Sequence, residues 1–172
     1  MKKLFCLLVS MLCLTSVNLS AQKLVSGSLA SLAGESSVLC EIDFSEGVYD
    51  SERFDLNELI ADVGDDWEND SKEVLEKFRR SSNDKLESIG LILERTATDK
   101  TNYKMVLVPQ KVDDDGEVYL KILFYKIGED KEVAEVSLNA NGGTFGTFMN
   151  LFGDGMTNAG SIFGKWMKKM LK

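Results

Sequence analysis

The side chains most often used in catalysis are unevenly represented in this chain, which has 28 acidic residues, three cysteines and no histidine. The absence of histidine excludes a Ser-His-Asp triad and, with so few cysteines, the usual zinc sites. No spacing singles out the pair of carboxylates that glycoside hydrolysis needs. The sequence therefore predicts a protein that is not an enzyme, with a carboxylate-based hydrolase as the exception left open.

Three stretches resemble ligand-binding loops without matching one. In "VDDDGE", an EF-hand loop aligned on Gly116 would place Lys111 at its first position and Ile122 at its last, where acids are required. "GDDWEND", residues 64–70, is interpreted as an acidic loop with a tryptophan packed beneath it. "GGTFG", residues 142–146, lacks the lysine of a phosphate-binding loop. We predict no metal and no cofactor.

Residues 1–21 have the organisation of a secretory signal peptide. Two lysines precede an apolar run, Leu4–Leu14, and small polar residues lead to Ala21, after which we predict cleavage. Leu12 stands where a lipoprotein signal needs a small residue before Cys13, so soluble export is favoured over lipidation. The protein is therefore expected in the periplasm, at the outer membrane or outside the cell.

Export would change the charge and the cysteine count. Cleavage after Ala21 removes two lysines, no acids and two of the three cysteines, so the net charge becomes more negative by two than the −8 of the whole chain. Such an acidic body argues against nucleic-acid binding, which requires a basic surface. Cys40 then has no partner for a disulfide, and we interpret it as a small buried residue of a strand.

Hydrophobic periodicity predicts one α+β domain over residues 38–172, preceded by a flexible Ser/Gly leader over 22–37. Alternation indicates a strand over 38–44, and helical spacing indicates helices over 55–64 and 71–90. Further strands are predicted in residues 91–97, 103–112, 117–128 and 133–140. We expect one mainly antiparallel sheet of four to five strands with helices, including the C-terminal amphipathic helix, packed on one face.

Local signals mark where these elements begin, end and turn. Asp55 and Glu58 have the spacing of a capping box at the start of the first helix. The pair Asp115-Gly116 is a strong hairpin signal. Pro109 cannot donate to a strand ladder and is therefore expected at an edge or a bulge.

The C-terminal segment, residues 147–172, separates into two faces when it is drawn at 100° per residue. Apolar side chains occupy one side, and four lysines near the end lie on the other. Gly153, Gly160 and Gly164 lie together at the border of the apolar face, which predicts a close approach to another backbone, either the sheet or the long helix.

Two interpretations of this helix follow from the pattern. In the favoured one it covers the core, and burial of its aromatic residues would then exclude the membrane alternative. In the other it engages a membrane or a partner, since flexible methionines and lysines suit such contacts. The candidate interaction residues are Phe152, Phe163, Trp166, Lys165, Lys168 and Lys169.

The order of segments resembles a known group of proteins. An acidic "EIDFS" strand, a Trp-bearing helical stretch, the ladder "YKMVLVPQKVDDDGEVYLKILFYKIGEDKEVAEVSL" and the ending "FGKWMKKMLK" carry the likeness. The chain resembles small exported proteins of unknown function of the Bacteroides group. More distantly, it is similar to the periplasmic α/β domains of curli-secretion lipoproteins and TolB amino-terminal domains. The resemblance implies an envelope or extracellular context and no known catalytic residues.

The function predicted from the sequence is that of an exported, non-enzymatic binding or envelope-assembly module. The contact would be made by the exposed face of the sheet or by an edge strand, in the manner of strand addition. The expected partner is another envelope or extracellular protein, not nucleic acid. The alternative is a membrane- or partner-engaging protein that acts through residues 147–172, and membrane contact is possible but not favoured.

Overall fold

The computed structural model describes residues 21–172. Except for Ala21, the predicted signal peptide lies outside the described residues. The strands are β1 (Gln22–Gly27), β2 (Ser37–Ile42), β3 (Val48–Tyr49), β4 (Ile92–Glu94), β5 (Tyr103–Val112), β6 (Val118–Lys126) and β7 (Glu132–Ala140). The α-helices are α1 (Leu56–Val63), α2 (Trp67–Leu86) and α3 (Phe148–Met170). The fold is therefore α+β, as the sequence predicts.

The sheet has seven strands in the order β1-β7-β6-β5-β2-β4, with β3 beside β5. Three pairings are antiparallel (β1–β7, β5–β6 and β6–β7) and three are parallel (β2–β4, β2–β5 and β3–β5). The prediction of four to five mainly antiparallel strands is therefore wrong. The β2–β4 pair is parallel because α1 and α2 lie between these strands in the chain, and such a helical crossover returns the chain in the same direction.

The segment predicted as a flexible leader is part of the sheet. Residues 22–27 form β1, which pairs antiparallel with β7 and places Leu24 opposite Val136. Leu29 and Leu32 are buried in the core just after it. Burial of these leucines holds in place a stretch whose Ser/Gly composition favours flexibility. The prediction of a flexible leader over residues 22–37 is therefore corrected to an edge strand and a short 3-10 helix.

The hydrophobic core lies between one face of the sheet and the two long helices. Phe163 of α3 lies at its centre, with ring centroids 5.5 Å from Phe78 of α2 and 6.4 Å from Phe124 of β6. All three rings are fully or almost fully buried. The sheet contributes alternate residues, among them Met105, Leu107, Ile122, Val136 and Leu138. The predicted role of α3 as a cover for the core is consistent with this packing.

The close approach predicted from the glycines is confirmed for two of the three. A Cβ atom on Gly160 would overlap the carbonyl oxygen of Phe78, and one on Gly164 would lie 2.7 Å from that of Ser82. The Ser82 hydroxyl donates to the Gly160 carbonyl at 3.1 Å. Gly153 meets only the flexible side chain of Lys77. Small residues thus fix the position of α2 against α3.

The local signals are largely confirmed. Asp55 and Glu58 form the capping box of α1. Gly116, at φ +76°, forms the turn between β5 and β6, and the β5–β6 register shifts between Pro109 and Lys111. Trp67 differs from the prediction, because it begins α2 instead of lying in a loop.

Candidate binding edge of the sheet

The six candidate interaction residues do not form one surface. Phe152 and Phe163 are fully buried, and Trp166 is half-buried. Lys165 and Lys169 are exposed and Lys168 is half-buried, around the helix from the core. Within residues 21–172, no helix has the length and apolar character needed to cross a membrane.

The face of the sheet opposite the helices is one of the two surfaces that the sequence suggests for binding. Val106 and Leu123 are paired across β5 and β6 and are half-buried. Charged residues lie over this face, and Lys121 donates to Glu46 at 2.6 Å. An alternation of apolar and charged residues is ordinary for the solvated side of a sheet. This face therefore gives little reason to expect a specific ligand.

The edge of the sheet at β4 is closed by side chains of α2. Leu93 points its backbone groups away from β2, and its N–H donates to Asn83 Oδ1 at 2.8 Å. Its carbonyl accepts from Asn83 Nδ2 at 3.0 Å and from Arg79 Nη1 at 2.9 Å. The amide of Asn83 therefore occupies the place of a neighbouring strand. We call Leu93 and these two side chains the closed edge.

A buried carboxylate holds Arg79 in this position. Glu76 accepts from Arg79 Nη2 at 2.7 Å and from Arg79 Nε at 2.9 Å. It also accepts from Arg80 Nε at 3.0 Å. The Arg79 hydrogen bonds hold the pKa of the Glu76 carboxyl below its usual value, although burial opposes this effect. The closed edge thus rests on an ion pair whose side chains are 16% and 11% exposed.

The next part of the same edge has no neighbouring strand among the described residues. The register between β2 and β4 ends at Leu39 and Glu94, whereas β2 continues to Ile42. Asp43 donates its N–H to the Leu107 carbonyl of β5 at 2.8 Å. Because backbone groups alternate in direction along a strand, Ile42 points its N–H and carbonyl away from β5, towards the side where β4 has already ended. We call residues 40–42 the open edge.

An open cavity of about 500 Å³ lies along this segment. Leu75 of α2 and Val106 of β5 provide apolar walls, and Arg95 and Lys104 provide positive charge. The lining further includes Cys40, Glu41, Ile42 and Asp43. Residues from both sides of the sheet line the cavity, as expected where a strand is missing. Three residues of extended chain would span it over roughly 10 Å.

The one cysteine of the open edge does not carry a reactive thiol. Burial raises the pKa of the Cys40 thiol far above the usual value. The side chain is 1% exposed, in agreement with its interpretation as a buried strand residue. Within the described part of the chain, no group of three or more acidic or cysteine side chains could hold a metal ion.

Comparisons with known proteins add little. No protein-family model and no curated protein matches the chain. The chain is similar to a PelC dodecamer from Paraburkholderia phytofirmans, with 12% identity, a TM-score of 0.39, and coverage of 82% of this chain and 96% of that chain. A single-residue variant of the same PelC gives 11% identity, the same TM-score, and coverage of 82% and 94%. Likeness of this size carries no argument about fold or function, and the resemblance stated above stays a prediction.

The residues that shape the edge were not among those predicted. Asn83, Arg79 and Glu76 all fall within the predicted helix over 71–90, beside its apolar stripe. The only sequence signal for this arrangement is a spacing of four. Leu75, Arg79 and Asn83 follow each other at that interval and therefore share one side of a helix. Nothing local indicates that a sheet edge lies beside them.

Proposed function

We propose that the protein is an exported, non-enzymatic binding module that accepts an extended segment of an envelope or extracellular partner protein at the open edge. The partner would add a strand beside β2 and continue the line of β4. Main-chain hydrogen bonds would supply affinity, and the alternating side chains of the segment would supply specificity.

The observation that carries this proposal is the contrast along one edge. Unpaired strand edges are commonly blocked in proteins, because they recruit other chains. Here Asn83 and Arg79 block the edge at Leu93, while the edge at Ile42 is left without such a cover. A cavity with apolar walls and equal numbers of cationic and acidic side chains suits an extended segment whose alternate residues are apolar.

Two features of the sequence support an exported binding protein. The predicted signal peptide supports delivery to the envelope, and the absence of histidine from the whole sequence argues against a Ser-His-Asp triad and the usual zinc sites. A membrane-inserted role for the whole of α3 is disfavoured, because Phe152 and Phe163 would have to leave the core.

The proposal is tested by photo-crosslinking from the open edge in the envelope of the producing cell. A photoreactive residue replaces Arg95, which lines the cavity and has a 59% exposed side chain. Ile42→Pro then removes the outward N–H that an added strand needs, without touching the bond from Asp43 to Leu107. We expect one discrete crosslinked product that Ile42→Pro abolishes.

The matched control is Leu24→Pro on the opposite edge strand, β1. Ala21 accepts from Asn139 of β7, so the same alternation directs the N–H of Leu24 outward. Leu24 is half-buried like Ile42, so both prolines remove similar packing. The product should persist in Leu24→Pro. A product that survives Ile42→Pro, or one that Leu24→Pro also abolishes, would contradict binding at the open edge.

A further inference from the structure

The last turn of α3 is less buried than the rest of its apolar face. Met170 lies on the same side of the helix as Phe163, because seven residues make nearly two full turns. Phe163 is fully buried, yet Met170 is 47% exposed. Met167 is the last residue of the helix that is buried. Met170 is thus exposed although it continues the apolar face, whereas the half-buried Leu171 still packs against the core.

A row of lysines runs along the outer side of this end. Three of the four lysines lie on one side of the last two turns of α3, and the fourth follows two residues after the helix ends. They are Lys165, Lys168, Lys169 and Lys172. Within residues 21–172, none of them forms a salt bridge, and the same holds for Lys23, Lys85, Lys100 and Lys131, whereas the lysines at 77, 104, 111, 121 and 126 do. We call Lys165, Trp166 and residues 168–172 the cationic tip.

Apolar side chains lie directly beside these lysines. Trp166 is half-buried at the border between the core and Lys169, and its ring centroid lies 6.5 Å from that of Phe163. Met170 lies on the same border, one turn further on. A half-buried tryptophan next to lysine is typical of contacts with the lipid–water interface.

We propose that the cationic tip docks on an anionic lipid surface while the rest of α3 stays in the core. The four ammonium groups would lie at the headgroups, and Trp166 and Met170 would enter the interface. Asp84 and Glu87 flank Lys85 at the neighbouring end of α2 and oppose this attraction, as does the acidic body. The Debye length of about 10 Å confines that repulsion to near neighbours at moderate salt. Binding is therefore reversible and falls as salt is raised.

The experiment uses the fluorescence of Trp166 as a position-specific reporter. Trp67→Phe leaves Trp166 as the sole tryptophan. This protein is mixed with vesicles of phosphatidylcholine alone or of phosphatidylcholine with phosphatidylglycerol. We expect a blue shift and co-sedimentation with the anionic vesicles only, both reversed by salt.

The charge requirement is tested with two matched quadruple variants. The first replaces the four lysines of the tip with glutamine. The second replaces four exposed lysines elsewhere with glutamine, namely Lys72, Lys100, Lys126 and Lys131. Each lysine near an anionic surface contributes about a fivefold change in binding, so the first variant should lose binding by several hundredfold. The second should bind as the parent does. Equal circular dichroism melting curves confirm that both are folded.

Three outcomes would overturn the proposal. The first is the absence of binding to anionic vesicles at low salt. The second is equal loss in the two quadruple variants, which would indicate an effect of net charge alone. The third is a blue shift with poly-glutamate but not with vesicles, which would assign the tip to an acidic protein segment. None of these results bears on the open edge, which lies on other elements.

Discussion

Leu93 and Ile42 lie on the same edge of the sheet, and both direct their backbone groups away from their neighbouring strand. The groups of Leu93 are fully occupied by Asn83 and Arg79, whereas those of Ile42 face a cavity. The difference comes from one stripe of α2, in which residues 75, 79 and 83 follow each other at intervals of four. Polar residues at two of these positions close the edge, and Leu75 at the third leaves it open.

The closed edge depends on the position of α2, and the contact between α2 and α3 sets that position. We expect Gly160→Ala to lower the free energy of unfolding by about 2–3 kcal/mol, because the new methyl group would overlap the Phe78 carbonyl. Urea unfolding measures this effect. The matched control is Gly153→Ala, where only the flexible end of Lys77 must move and the helix propensity improves by about 1 kcal/mol. Equal destabilisation by both variants would contradict the account.

Removal of the Asn83 side-chain amide should leave the N–H of Leu93 without a partner, as the N–H of Ile42 is. Asn83→Ala leaves the N–H of Leu93 without its partner, and we expect a loss of about 2 kcal/mol in the free energy of unfolding. Exchange of the Leu93 amide hydrogen should become much faster. Asn83→Asp retains the acceptor but not the donor, so it should protect the Leu93 amide better than alanine does. Unchanged exchange in Asn83→Ala would show that Asn83 does not close the edge.

Acid should weaken the closed edge through Glu76. Because the pKa of its carboxyl is lowered in the folded protein, its contribution is present above the unfolded pKa and is lost as the pH falls through the folded pKa. Glu76→Gln should cost about 1–2 kcal/mol near neutral pH, as expected for hydrogen bonds to a charged group. The difference from the parent should vanish at low pH in urea unfolding curves. A difference in the free energy of unfolding between the parent and Glu76→Gln that grows as the pH falls would contradict this prediction.

Proline should have its smallest effect at the open edge. Ile42→Pro removes an N–H that faces the cavity, so we expect a loss below about 1 kcal/mol in the free energy of unfolding, from packing alone. Asp43→Pro removes the bond to Leu107 and should cost about 2 kcal/mol. Thermal or urea unfolding compares the two. A larger loss for Ile42→Pro would mean that its N–H already has a partner.

Local features of the fold could be predicted from the sequence, whereas the pairing of distant strands could not. The capping box at Asp55, the bulge at Pro109 and the close approach at Gly160 depend on the chemistry of a few residues. The parallel pairing of β2 with β4 and β5, and the docking of β1 on β7, depend on contacts between distant parts of the chain. The sequence pattern therefore led to too few strands and to a leader without structure.

The candidate site was harder to predict for a related reason. The apolar face of the last helix was the most conspicuous pattern, yet Phe152 and Phe163 serve the core. The open edge exists because β4 ends at Glu94, after three residues, while β2 continues. A strand that stops early leaves no periodic signal, and an asparagine that mimics a strand looks like any polar residue of a helix.

The edge of the sheet is thus occupied at Leu93 and unoccupied at Ile42. Amide hydrogen exchange, resolved by residue in the free protein, tests this difference most directly. We expect fast exchange at Ile42, with strong protection at Leu93 and at Asp43, whose N–H is bonded to Leu107. Protection at Ile42 equal to that at Leu93 would contradict the account, because the open edge would then be closed.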